Sequence, residues 1–119
     1  MYKIDVNSSK KLISLVAEGM FTVDEAKDCM KDYESKIRMI NVKDYVFLVD
    51  ARKQSTSTPE VGEMLTEALK KYLDTPFKKR YYVKLDSVIA MSQIRRLGGK
   101  DFVDKFEVVN TPEEVINSL

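Results

Sequence analysis

Tyr2, Ile4 and Val6 alternate with Lys3 and Asp5, and after Asn7-Ser8-Ser9 the run from Lys11 to Ala17 is again strand-like. Two such runs across a short polar turn predict an antiparallel hairpin. Glu18-Gly19 breaks the second strand, and the period then changes. From about Val23, the residues Ala26, Cys29, Met30, Tyr33 and Ile37 fall on one stripe of a helix, with Phe21 where a hydrophobic staple would stand. Tyr45 to Val49 is a continuous apolar run bounded by Asp44 and Asp50, as expected of a central strand covered on both faces. A polar segment from Ala51 to Thr58 follows. Pro59 then opens the clearest helix, with a stripe of Val61, Met64, Leu65, Ala68, Leu69, Tyr72 and Leu73. Arg80 to Leu85 reads as a strand. Ser87 heads a helix carrying Val88, Met91, Ile94 and Leu97, which Gly98-Gly99 should terminate. A short strand near Phe106 to Val109 leads into a helix from Pro112.

Three Ser/Thr-to-Glu spacings punctuate this pattern: Thr22 to Glu25, Ser57 to Glu60 and Thr111 to Glu114. Each reads as a capping box, in which the hydroxyl accepts a first-turn N–H and the carboxylate reaches back. The order is ββαβαβαβα, an α/β chain with a mixed sheet of four to five strands and about four helices. Strands separated by single helices pair in parallel through right-handed crossovers, and the first strand adds antiparallel. No repeat or linker divides residues 1–119, so one domain is expected. Sites in such sheets lie at the carboxyl ends of parallel strands, which directs attention to 18–22, 50–60 and 85–87.

Composition narrows the chemistry. The 119 residues are 44% hydrophobic and 33% charged, with no His, no Trp and a single Cys. That suits a globular protein but leaves few of the usual groups for nucleophilic or metal catalysis. Cys29 lies on a helical apolar stripe and reads as a small core residue. The net charge of +1 gives nucleic-acid binding no support. Lys78, Lys79, Arg80, Lys84, Arg95, Arg96 and Lys100 nonetheless lie close in sequence against the single acid Asp86, which reads either as a basic surface patch for an acidic partner or phosphate or, more plainly, as solvated helix and strand faces. No apolar run is long enough to span a bilayer, and the N-terminus does not read as a signal peptide, so a cytoplasmic location is the expectation.

Three segments carry a family resemblance: Leu12-Ile13-Ser14-Leu15-Val16-Ala17-Glu18-Gly19-Met20-Phe21-Thr22, Val46-Phe47-Leu48-Val49-Asp50-Ala51-Arg52, and Lys84-Leu85-Asp86-Ser87 running on to Gln93-Ile94-Arg95-Arg96-Leu97. In this element order and length, the chain resembles the STAS domain of anti-sigma-factor antagonists, and more specifically the SpoIIAA-like proteins grouped with STAS and Sec14 folds. The resemblance implies a non-catalytic protein-binding module without a cofactor. In the antagonists it also implies a phosphorylatable Ser within Asp-Ser-Ser-Gly, at the start of the helix after the third strand. That motif is absent, and the corresponding loop is Arg52-Lys53-Gln54-Ser55-Thr56-Ser57-Thr58-Pro59-Glu60. Ser57 and Thr58 stand nearest the helix start, where a phosphate would meet the helix dipole beside Arg52 and Lys53. In the plain reading Ser57 caps the helix and Thr58 fills the turn.

Asp50 and Arg52 could bind a polar ligand together, or pair with each other or with Lys84. The expected contact surface for a protein partner comprises Gly19, Phe21, Asp50, Arg52, Lys53, Ser57 and Thr58. A second expectation makes the chain a structural subunit or homo-oligomer, for instance in a phage-derived particle, with Tyr2, Phe77, Tyr81 and Tyr82 divided between interface and core. A third supposes a small apolar ligand or lipid between sheet and helices, lined in part by methionines such as Met30, Met64 and Met91.

Overall fold

The computed structural model describes residues 1–55 and 58–119. Its elements follow the expected order: β1 (Tyr2–Asn7), β2 (Leu12–Gly19), α1 (Val23–Arg38), β3 (Val46–Gln54), α2 (Pro59–Asp74), β4 (Lys79–Val83), α3 (Val88–Lys105), β5 (Phe106–Val109) and α4 (Pro112–Ile116). The five strands lie side by side in chain order. β1 is antiparallel to β2, and every later pair is parallel. With neighbours added one after another, right-handed crossovers carry α1, α2 and α3 onto the same face. Ile13, Leu15 and Ala17 of β2 and Phe47, Val49 and Ala51 of β3 meet those helices there in the main core. Leu12, Val46, Leu48 and Val83 point the other way and pack under Val115 of α4. The continuous apolar run of β3 is therefore covered on both faces.

Helix starts obey their caps, with one shift. The Thr22, Ser87 and Thr111 hydroxyls accept the N–H of Glu25, Ala90 and Glu114. For α2 the cap is Thr58, one residue later than expected, and its Oγ1 accepts the Val61 N–H at 3.3 Å. Pro59 explains the shift: its fixed φ suits the first helical position, so the residue before it becomes the cap. The expectations on Ser57 fall outside the described residues.

Gly98-Gly99 interrupts α3 without ending it. Gly99 sits at φ 61°, ψ −152°, a backbone region open to glycine almost alone, and helix resumes beyond it to Lys105. The Phe102 side chain fills the space beside Gly98, where an added Cβ would come within 2.3 Å of Phe102 Cβ. The break lets Phe102 stack on Phe106 at 5.0 Å between ring centres and meet Tyr82 edge-on. The exposed positions of Val88 and Leu97 depart from the expected core stripe, which keeps only Met91 and Ile94 buried.

A second aromatic layer joins α1 and α2 to the sheet. Phe47 stacks on Phe77 at 4.7 Å, and Tyr33 meets Tyr72 edge-on at 5.0 Å. Phe77 and Tyr82 are thus core residues, whereas Tyr2 and Tyr81 remain partly exposed. Arg80 is buried within this layer, which removes it from any surface patch. Its Nε donates to the Tyr72 carbonyl at 2.8 Å and its Nη2 to the carbonyls of Leu73 and Thr75. The carbonyls of Tyr72 and Leu73 are among the last four of α2, which have no helical partner. Beside them the Tyr33 hydroxyl bonds Thr75 Oγ1 at 2.8 Å.

Arg80→Leu should lower stability by about 2–3 kcal/mol in urea unfolding, because it strands buried carbonyls; Arg80→Lys, lacking the planar fork, should recover only part of that. Burial pushes both the Cys29 thiol and the Tyr33 hydroxyl up to about 12. Their folded values exceed the unfolded ones, so the stability they contribute is complete below the unfolded values. It should fall as pH rises from about 9 toward 12, which thermal melts across that range would register.

Candidate functional site

At the carboxyl ends of β2 and β3, two loops meet side by side. Gly19 turns out of β2 with φ +71°, a left-handed conformation that favours glycine, and its carbonyl accepts the Ser55 N–H at 2.9 Å. The loop entering α1 is thereby fastened to the loop entering α2. Phe21, one residue before the Thr22 cap, is buried in the core, as a staple residue should be. A groove runs between the two helix starts, walled by Met20, Phe21 and Thr22 on one side and by Thr58, Pro59 and Val61 on the other. Met20 is 65% exposed at its rim.

Beneath this groove, sheet and helices enclose an apolar cavity of about 50 Å³, lined by residues including Leu15, Cys29, Met30, Met64 and Tyr82. Pockets for small molecules are of the order of 300–1,000 Å³, so a lipid would enter only by displacing side chains.

Strand alternation and a β-bulge together divide the expected site residues between the two faces. Val16 pairs with Asp50 and Glu18 with Lys53, so β3 spends three residues where β2 spends two. The extra residue reverses the alternation. Asp50 and Arg52 face away from the helices by ordinary alternation, and the extra residue brings Lys53 into the same small depression with Val16 and Glu18, while Gln54 returns to the helical face and borders the apolar cavity. In that depression Arg52 and Asp50 form a bidentate pair, with Nε to Oδ1 and Nη2 to Oδ2 both at 2.9 Å. The hydrogen bonds that Arg52 donates to Asp50 raise the Arg52 pKa, and the charges of Asp50, Glu113 and Asp86 add to the effect.

Gly19, Phe21 and Thr58 are therefore brought together on the groove side, and Asp50, Arg52 and Lys53 are gathered on the face opposite. The expected proximity of Arg52 to a phosphate at the start of α2 meets a geometric obstacle, because its guanidinium is already held by Asp50. The Thr58 hydroxyl is likewise engaged as a cap. Three exposed apolar residues of the carboxyl edge escaped the sequence reading: Met20, Val88 at 74% and Ile89 at 73%. The adjacency of Val88 and Ile89 carried a signal, since neighbours on a helix point about 100° apart and cannot share a narrow buried stripe.

Among the described residues no group of three His, Cys, Asp or Glu side chains could hold a metal ion, and no buried side-chain polar atom lacks a partner. Among the described residues no helix is long and apolar enough to cross a membrane.

No family model matches the chain, and no curated protein does. Among solved structures it is similar to an uncharacterized protein of the DUF3478 family from Shewanella loihica PV-4, described as having a SpoIIAA-like fold. The TM-score is 0.69 at 13% sequence identity, over 100% of this chain and 92% of the other. The fold is SpoIIAA-like, with the five-stranded mixed sheet and four helices described above.

Thr58→Ala should cost about 1 kcal/mol in thermal or urea unfolding, and Thr58→Ser should restore most of it, because either hydroxyl can serve the Val61 N–H.

Proposed function

We propose that this chain is a non-catalytic module that binds another protein through the carboxyl-terminal edge of its parallel strands. The observation that carries this reading is the exposure along that edge of Met20, at the rim of the groove between the starts of α1 and α2, and of Val88 and Ile89, at the start of α3. Apolar side chains held out on an otherwise ordered edge favour burial against a second surface. The helix starts behind them are capped and fixed, so little ordering entropy would oppose docking.

The sheet topology also favours binding over catalysis. A strand order that runs monotonically keeps its three crossover helices on one face and opens no crevice at a switch point. The contact would rest on Gly19, Phe21 and Thr58 beside the exposed residues, with Asp50, Arg52 and Lys53 forming a separate polar surface.

Affinity capture with the native protein and with Met20→Asp and Ile89→Asp variants tests the reading. The variants should keep the wild-type melting temperature, since both residues are exposed, and should lose the captured partner. Equal capture by all three would overturn it. Recovery of a kinase or regulator with a phosphate on residues 55–58 would make the module a signalling one, and stoichiometric recovery with particle proteins would make it a building block.

A further inference from the structure

The outer face of α1 and α2 carries a charge pattern that the carboxyl-edge reading leaves unused. Each helix has 16 residues, both start at the same edge of the sheet, and crossover geometry makes them parallel neighbours. Counted from Val23 and Pro59, Lys27 and Glu63 are each the fifth residue of their helix, and Lys31 and Glu67 each the ninth. All four are exposed and line a groove whose floor includes the half-buried Met30 and Met64. One wall is thus basic and the other acidic, with matched charges at equal heights. Glu34 and Lys71 pair across the far end of the groove, which shows that the helices run in register. Among the described residues, that is the groove's one ion pair; neither Lys27 nor Lys31 has a carboxylate oxygen within 4.0 Å.

We infer that this face docks a second copy of the chain about a two-fold axis lying along the groove. Such an axis lays α1 of one protomer over α2 of its partner without changing height. Lys27 then meets the partner's Glu63, and Lys31 the partner's Glu67, twice over by symmetry. Complementarity to itself at matched heights is what an isologous contact requires; a foreign partner requires no such match. The methionines of the two floors would supply the adaptable apolar centre. Helices about 24 Å long and about 10 Å apart offer roughly 500 Å² per protomer, near the lower limit for a specific interface. The dimer is accordingly reversible and weakened by salt. This inference is independent of the carboxyl-edge contact and uses a different surface.

Sedimentation equilibrium of the full chain at low and high ionic strength tests it. The wild type should dimerise, and high salt should shift it toward monomer. Lys27→Glu with Lys31→Glu, and separately Glu63→Lys with Glu67→Lys, should each be monomeric, because both walls then carry one sign. Mixed in equal amounts, the two variants should form a heterodimer, which intrachain pairing cannot produce. Circular dichroism would establish that each is folded. Should charge reversal unfold the chain, Lys27→Gln with Lys31→Gln provides a milder variant and should weaken dimerisation about tenfold or more. A wild type that stays monomeric at low salt and high concentration, or a dimer indifferent to these substitutions, would overturn the inference.

Discussion

The buried Arg80 guanidinium fastens α2 to the sheet at the carboxyl end of the helix, where the last carbonyls have no helical partner. Three donated hydrogen bonds reach carbonyls at and just beyond the end of α2, and the negative end of the helix dipole faces the cation. No carboxylate is needed to hold this charge in place. Phe77 lies 5.7 Å from the guanidinium, and the Tyr33–Thr75 hydrogen bond closes the same corner from α1. Fixing this end of α2 fixes its axis, and with it the position of Thr58, the groove beside Met20 and the charged wall facing α1. The features proposed for recognition thus depend on a clamp at the opposite end of the helix.

Most of the architecture was legible because local signals agreed. The change of period at Val23, the capping hydroxyls of Thr22, Ser87 and Thr111, and Pro59 at the head of α2 each fix an element by short-range physics. The cap of α2 was misplaced by one residue, since the spacing of Ser57 to Glu60 competed with the stronger constraint of Pro59. Arg80 was read as one more surface cation, because its partners are carbonyls supplied by tertiary packing. Gly98-Gly99 was recognised as a stop, but nothing local shows that helix resumes beyond it and delivers Phe102 to the core.

The candidate site was legible in position more than in arrangement. The loops at the carboxyl ends of the parallel strands followed from topology, as did Gly19, Phe21 and the start of α2. Alternation along β3 already sends Asp50 and Arg52 to the face opposite the helices, but the sides of Lys53 and Gln54 did not follow, because the bulge that sets them arises from pairing between two strands.

That bulge lets β3 carry one residue more than β2 without turning the end of the strand over. Loss of a single residue from 51–53 would remove the bulge, restore strict alternation and leave Gln54 opposite Gly19 on the helical face. Gln54 would keep its place beside the apolar cavity, and only the residues inside the bulge would be sorted anew between the two faces. Homologous chains that differ by one residue here would therefore keep the same groove, sheet and helices and differ only in the polar depression on the opposite face.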